Sequence, residues 1–189
     1  MGRVACAAMA SYSIRLIGDP VLRQVAQPVE NIDGKLAAIA TDMLEAMYAA
    51  PGVGLAAPQV GIQKRFFVYD VGEGDGPKTL INPVIVESRG EWEYEEGCLS
   101  VPDMSFEIVR PKEIHIIGFD LDGNEVSIEA DEFEARMYLH EMDHLDGKLL
   151  VDMLEDDQRR AAMKVLRQRA MGEEPTMPER KGMRLRLRA

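Results

Sequence analysis

The segment His140-Glu141-Met142-Asp143-His144 constrains the fold most strongly, because it combines helical spacing with the chemistry of a metal site. On a helix, histidines four residues apart project from the same face and can both ligate one metal ion. Glu141 lies beside the first histidine and can reach the remaining coordination position. A solvated polar helix face is the alternative. It fits poorly, because the chain has only three histidines and apolar residues interleave with this pair, namely Leu139, Leu145 and Leu149.

A catalytic site of this type needs a third protein ligand, and the sequence offers two candidates. Glu155 is the nearest glutamate downstream of His144 and is the candidate expected for a metalloprotease. Cys98 lies upstream and by itself is better explained as inert packing. Beside two histidines, a thiolate would complete a compact site suited to Fe(II), Zn(II), Co(II) or Ni(II).

The order of predicted elements indicates an α+β fold in one domain. Apolar periodicity predicts helices at 31–49, 132–145 and 153–170, and Asp19-Pro20 predicts a short helix ending near Val25. Strands are predicted at 66–71, 80–87, 91–96, 105–109, 113–121 and 125–130. We therefore expect antiparallel sheets around a central helix that carries the two histidines, with further helices at the N- and C-terminal ends. Residues 1–13 are predicted to be a flexible arm, 14–171 the catalytic domain and 172–189 a basic, disordered tail.

The charge distribution is asymmetric along the chain. Residues 159–189 hold ten of the 22 basic residues but only three of the 33 acidic ones. The acidic body is not expected to bind nucleic acid, whereas the basic end is suited to an RNA-rich surface. No apolar run reaches the length of a membrane span. With only two cysteines, the chain is predicted to act in a reducing compartment, the cytoplasm.

Two further segments lie upstream of the histidine helix. Residues 52–59 read GVGLAAPQ, and by themselves they indicate a loop whose glycines allow close backbone approach to a ligand. Residues 96–100 read EGCLS and contain Cys98. Together with HEMDHLDG at 140–147, these segments resemble the three signature segments of the peptide deformylases, in the same order and at similar spacing. The resemblance extends from about Ile14 to about Arg169.

The resemblance implies a role for each matching residue. Cys98, His140 and His144 would bind one divalent metal ion, for which the family favours ferrous iron over zinc, nickel or cobalt. Glu141 would act as general base and acid while metal-bound hydroxide attacks the formyl carbon. Gln59 and the backbone N–H of Leu99 would form an oxyanion hole. The implied substrate-binding residues are Val53, Gly54, Tyr94, Glu96, Gly97, Phe133 and Met137.

Three residues near this set carry separate expectations. Resemblance suggests an ion pair between Glu96 and Arg110 that braces the cysteine segment. Arg136 departs from an apolar lining, and its stem is expected to pack while its charged head stays in water. Ser105 occupies a position at which some members carry a basic residue that contacts the peptide. Phe133 and Met137 are equally well explained as core residues of their helix.

The function implied by the resemblance is removal of the N-formyl group from the formyl-methionine of new polypeptides, with release of formate. Formylated nascent chains are the expected substrates, and the basic C-terminal helix and tail are expected to contact the ribosome near the tunnel exit. A membrane or a specific DNA site is not expected as a partner. Two alternatives stay open: an endopeptidase of the HExxH type, and a catalytically silent metal-binding module recruited to ribosomes.

Overall fold

The fold was analysed in a computed structural model that describes residues 12–72, 74, 76–175 and 183–185. Its α-helices are α1 (Gly34–Ala49), α2 (Glu132–Leu145) and α3 (Asp156–Ala170). The strands are β1 (Gly54–Ala56), β2 (Phe66–Tyr69), β3 (Lys78–Arg89), β4 (Trp92–Cys98), β5 (Val101–Arg110), β6 (Glu113–Phe119), β7 (Glu125–Asp131) and β8 (Met183–Leu185). Short 3-10 helices cover Pro20–Arg23, Ala57–Val60 and Leu150–Met153.

Five strands form one antiparallel sheet in the order β1-β2-β3-β6-β7. Strand β1 lies at the edge of this sheet and pairs Gly54 with Tyr69 of β2. The inner strands β2 and β6 carry residues suited to a half-buried pleated surface, and Ile114 and Ile116 alternate inward along β6. This sheet therefore presents an apolar face to α2 and leaves the outer backbone edge of β1 next to the site described below.

A second antiparallel sheet contains β4, β5 and β8 in the order β4-β5-β8. Residues Leu99 and Ser100 form the turn between β4 and β5, and Cys98 pairs with Val101 across it. The register then shifts, because Gly97 pairs with Ser105. Within the intervening stretch of β5, Asp103 adopts a left-handed φ of 59°. Such an irregularity bends a hairpin and redirects its side chains.

Helix α2 connects the two sheets. Its apolar residues Met137, Tyr138 and Leu145 pack in one cluster with Phe67 and other side chains of the five-stranded sheet. Cys98 belongs to a different cluster, which includes residues of β5 and α3. The two histidines of α2 and the cysteine of β4 are consequently held by separate parts of the core.

The structure confirms the predicted α+β class and antiparallel sheets, and it corrects several local predictions. Residues 54–56 form β1 rather than a loop, because β2 supplies backbone partners. The helix predicted at 19–25 is a 3-10 helix over Pro20–Arg23. Within the predicted disordered tail, residues 183–185 form β8 on the edge of β5. The predicted arm falls mainly on residues 1–11, which lie outside the described residues, as do 176–182 and 186–189 of the tail.

Near the N-terminal end of the described chain, Tyr12 packs against the hydrophobic cluster formed around α1, although residues 1–13 were predicted to be flexible. Among the helices that the structure describes, none is long and apolar enough to cross a membrane.

Candidate metal centre and substrate cavity

Helix α2 supplies the two predicted histidine ligands. His140 and His144 are one turn apart, and their ring centroids lie 5.0 Å from each other. Their residue exposures are 9% and 1%, so these polar rings are held inside the protein rather than on a solvated face. Burial of polar rings is costly unless they gain partners, and the partners come from the β4–β5 hairpin.

The hairpin turn brings Cys98 to the histidines. The Sγ atom of Cys98 lies 3.2 Å from Nε2 of His144. Cys98, His140 and His144 each offer a ligand atom, and these atoms all lie within 4.8 Å of one another. Glu155 is exposed and lies outside this cluster. The structure therefore favours the cysteine over the glutamate as third ligand.

Glu96 positions the ring of His140. Its Oε1 lies 2.6 Å from Nδ1 of His140, which leaves Nε2 of that ring for a metal ion. Arg110 donates to both carboxylate oxygens of Glu96, at 2.7 and 2.8 Å. Burial alone would raise the pKa of Glu96, but the hydrogen bonds from Arg110 and His140 outweigh it and hold this pKa well below its usual range. Glu96 is therefore a buried anion that orients the ring of His140, a candidate metal ligand.

Glu141 is buried in the same cavity. Only 3% of the residue is exposed, and burial raises the pKa of its carboxyl to about 7. Its Oε2 atom has no hydrogen-bond partner among the described residues. The backbone of Gly54 lies so close that an added Cβ would be 2.5 Å from Oε1 of Glu141. Gly54 therefore does more than the predicted peptide binding, because only glycine leaves room for this carboxylate.

Gln59 has a fixed orientation. Its Oε1 accepts a hydrogen bond from the Ala56 backbone N–H at 2.8 Å, so its amide nitrogen must face the other way. That nitrogen donates to Oγ of Ser100 at 3.2 Å and lies 3.9 Å from Sγ of Cys98. The Gln59 amide donor thus points at the metal-ligand cluster. Leu99 lies between Cys98 and Ser100, and its side chain packs over Gly52.

A cavity of about 920 Å³ opens beside these groups. Its apolar rim includes Val53, Tyr94 and Phe133, which are 41%, 47% and 47% exposed. Met137 also lines the cavity but is only 4% exposed, so it serves the core and the cavity together. The predicted site residues that line the cavity are Val53, Gly54, Gln59, Tyr94, Glu96, Gly97, Cys98, Leu99, Phe133, Met137, His140 and Glu141. His144 lies behind them, against Cys98.

Comparisons with known proteins identify the family. A sequence profile described as polypeptide deformylase matches residues 11–160 of this chain. The chain belongs to the polypeptide deformylase family. Similar curated relatives are the peptide deformylase of Halothermothrix orenii, 49% identical over 76% of this chain and 94% of the relative, and that of Acidothermus cellulolyticus, 45% identical over 85% and 88%.

Solved structures of deformylases share the fold. A peptide deformylase from Legionella pneumophila superimposes with a TM-score of 0.81 at 40% identity, covering 87% of this chain and 99% of that one. One from Thermotoga maritima gives a TM-score of 0.73 at 47% identity, with coverages of 76% and 97%. The predictions of the family, the α+β fold and the enzyme class are confirmed.

Two positively charged side chains were only partly anticipated. The ion pair between Arg110 and Glu96 is present, and Arg110 also donates to Asp143 at 2.8 Å. The expectation that the Arg136 head stays in water is wrong, because 4% of its side chain is exposed. Its guanidinium is buried because Glu96 and two backbone carbonyls accept its hydrogen bonds.

Sequence reasoning did not assign a role to Ser100 or Asp143, although signals were present. Ser100 follows the cysteine segment directly, and Asp143 lies inside the histidine motif, three residues after His140. Ser105 is fully buried and donates to Oε1 of Glu95 at 2.6 Å. It therefore supports the edge of the cavity and does not face a peptide as a basic residue would.

Proposed function

We propose that this protein removes the N-formyl group from formyl-methionine at the start of newly synthesised polypeptides in the cytoplasm, releasing formate. The observation that carries the proposal is the convergence of Cys98, His140 and His144 beside a buried Glu141, in one cavity of a deformylase-family fold. A candidate metal centre, a buried carboxyl group and an amide donor lie around one small volume. Metal-assisted amide hydrolysis uses these three kinds of group together.

The donor atoms suit a divalent ion. One thiolate and two imidazoles favour Fe(II), Zn(II), Co(II) or Ni(II) over Mg(II) or Ca(II), which prefer oxygen ligands. An ion held by Cys98, His140 and His144 would lower the pKa of a coordinated water to about 7 and polarise a carbonyl oxygen. Three protein ligands leave a position open for water and substrate, as catalytic sites of this kind require.

Glu141 is proposed as the residue that moves the proton. Its Oε2 atom is buried and has no partner among the described residues, so it is available to accept a proton from the attacking water. The same carboxyl can then deliver the proton to the departing amine. The close packing of Gly54 limits where this carboxylate can lie, which keeps it in one position for both transfers.

Gln59 and Leu99 are proposed to stabilise the oxyanion. The Gln59 amide has two hydrogens, and Oγ of Ser100 accepts one of them. The other faces Sγ of Cys98 at 3.9 Å, a long and weak contact, and this hydrogen is proposed to turn to the developing negative charge on the formyl oxygen. The loss of one such donor typically costs a factor of about 10²–10³ in rate.

The peptide itself is proposed to bind between the two sheets. Strand β1 is an edge strand of one sheet and β4 is an edge strand of the other. Gly54 of β1 and Gly97 of β4 both line the cavity. An extended peptide can form backbone hydrogen bonds with a strand edge. The methionine side chain would then enter the apolar region formed by Val53, Tyr94, Phe133 and Met137.

Formate release from formyl-Met-Ala by metal-loaded protein tests the proposal. We expect formate from the wild type and at least a hundredfold less from Glu141→Ala with equal metal content. Cys98→Ser should lose both metal and activity. Cleavage of unformylated peptides that is unaffected by Cys98→Ser would favour an endopeptidase, and metal binding without formate release would favour a silent binding module. Either result would refute the deformylase proposal.

We also propose that α3 contacts the ribosome. Arg160, Lys164 and Arg167 are exposed and lie on one helix face at i, i+4 and i+7. Arg159 and Arg169 instead contact Asp152 and Asp103 of the body. A basic face on an acidic protein suits the phosphates of ribosomal RNA.

Charge reversal tests this contact better than deletion, because removal of residues 172–189 would also remove β8. The variant Arg160→Glu/Lys164→Glu/Arg167→Glu should bind ribosomes more weakly at low salt while hydrolysing formyl-Met-Ala at the wild-type rate. The matched control reverses Lys35, an exposed basic residue at the start of α1. Equal ribosome affinity of the triple variant and the wild type, at low and high salt, would exclude α3 as the contact.

A further inference from the structure

Arg136 is a buried cation that the mechanism above does not use. It lies on α2 four residues before His140, on the same face of the helix, and it lines the substrate cavity. With 4% of its side chain exposed, the guanidinium has lost most of its contact with water. Such burial is strongly unfavourable unless the charge and its N–H groups gain specific partners.

The first group of partners joins Arg136 to the brace of the metal site. Its Nη1 donates to Oε2 of Glu96 at 2.8 Å, and Glu96 in turn contacts His140 through Oε1. Its Nη2 donates to the backbone carbonyls of Trp92 at 2.6 Å and Ile108 at 3.0 Å. These carbonyls belong to β4 and β5, so one guanidinium connects α2 to both strands of the cysteine hairpin.

The second group of partners is aromatic. The Cζ atom of Arg136 lies 5.1 Å from the centroid of the Trp92 ring and 5.9 Å from that of Tyr94. The two rings stack on each other with centroids 4.7 Å apart and planes inclined by 15°. Cation–π contact at these distances is attractive, and more so where water is excluded. Tyr94 is 47% exposed on the cavity rim, so Arg136 supports a wall of the substrate cavity from behind.

We propose that Arg136 is a positioning residue with two effects. Through Glu96 it fixes the orientation of the metal ligand His140, and through the Trp92–Tyr94 stack it fixes the wall that contacts the methionine side chain. The second effect rests on the proposed deformylase function, whereas the first concerns metal binding alone. One side chain therefore links retention of the ion to the shape of the side-chain pocket.

The two effects separate when arginine is replaced by lysine or by methionine. Arg136→Lys keeps the positive charge beside Glu96 but lacks the planar group that spans two carbonyls and stacks on the rings. We expect it to retain zinc almost as well as the wild type but to show a raised KM for formyl-Met-Ala. Arg136→Met keeps the length of the side chain and loses every polar contact. We expect about tenfold faster zinc loss to a chelator, as for other second-layer substitutions, together with the raised KM.

The experiment measures four quantities on each zinc-loaded variant: the rate of zinc transfer to a chromogenic chelator, KM and kcat for formyl-Met-Ala, and the thermal midpoint Tm. Arg89→Met is the matched control, since Arg89 forms an ion pair with Glu113 on the surface, where its side chain is 70% exposed. It should leave zinc transfer and KM unchanged.

A purely structural role would lower Tm in Arg136→Met without changing zinc transfer or KM, and that result would overturn the proposal. Equal zinc loss from Arg136→Lys and Arg136→Met would refute the assigned charge contact with Glu96. If the wild type releases no formate, the deformylase proposal fails, while the zinc-transfer measurement still decides the metal-site effect.

Discussion

Substitution of Gly54 by alanine tests how the carboxylate of Glu141, the proposed proton carrier, is held. An alanine Cβ at this position would lie 2.5 Å from Oε1, 3.0 Å from Cδ and 3.1 Å from Cγ of Glu141. Ordinary contact begins near 3.4 Å, so the carboxylate oxygen must move by about 0.9 Å. The side chain is buried beside the candidate ligands, and a shift of its carboxylate would move it away from the candidate metal centre.

The expected loss of activity follows from that displacement of the Glu141 carboxylate. A misplacement of about 1 Å in a catalytic group can reduce the rate about a hundredfold. This corresponds to about 2.7 kcal/mol of transition-state stabilisation. We expect kcat/KM of Gly54→Ala for formyl-Met-Ala to fall by about this factor, with the loss mainly in kcat. If β1 moves instead of Glu141, the loss should lie mainly in KM, because the backbone of Gly54 is proposed to bind the peptide.

The assay compares initial rates of formate release over a range of substrate concentrations, at equal metal content. Gly34→Ala is the matched control, since an added Cβ there meets nothing within 4 Å and the residue lies in the first turn of α1. It should keep wild-type kinetics. Wild-type kcat and KM in Gly54→Ala would refute the reasoning, since the predicted contact would then have no consequence.

Three other predictions concern the surroundings of the site. Ser100→Ala removes the hydroxyl that accepts a hydrogen bond from the Gln59 amide, so kcat should fall about tenfold. This loss is smaller than the factor of about 10²–10³ in rate that loss of an oxyanion donor costs. An unchanged kcat would contradict this role of Ser100. Arg169→Ala removes a 2.8 Å hydrogen bond to the carbonyl of Pro102 at the cavity rim. It should raise KM about fivefold, equivalent to about 1 kcal/mol, and a parallel fall in kcat would argue against a rim effect. Removal of metal should lower Tm, measured by calorimetry, by about 5–10 °C relative to protein in a metal-ion concentration of 100 times the dissociation constant of the metal. In the control, Cys98→Ser should have the same Tm with and without metal. The same Tm with and without metal in the wild type would contradict the assigned ligands.

The sequence predicted α2 and most strands well, because their signals are local, although β5, predicted at 105–109, extends over Val101–Arg110. The helix predicted at 132–145 coincides with α2, where apolar residues recur every three or four positions and the histidines share a face. The strand predicted at 125–130 is β7 without its last residue. The ligand candidates were also visible in the sequence, because the chain has only two cysteines and three histidines, and two of the histidines stand at helical spacing.

Other features of the fold and the site could not be predicted, because they depend on residues far away in the chain. Strand β1 has a glycine and only three residues, and it is extended because β2 pairs with it. Arg136 was expected to keep its charged head in water, since nothing near it in sequence indicated an acceptor. Glu96, the acceptor, lies 40 residues away and reaches it through the packing of α2 on β4 and β5. Burial of a charge was therefore not predictable from local pattern alone.

The pairing of β8 with β5 affects the solubility of the protein. Backbone groups of Met104 and Phe106 on that side of β5 are paired with residues 183–185. A protein shortened after α3 would expose this edge, and an exposed strand edge readily pairs with another chain. Shortened forms should then self-associate as their concentration rises, with β5 strands side by side, and lose solubility before they lose activity. Residues 183–185 would in that case protect the edge of β5 against aggregation.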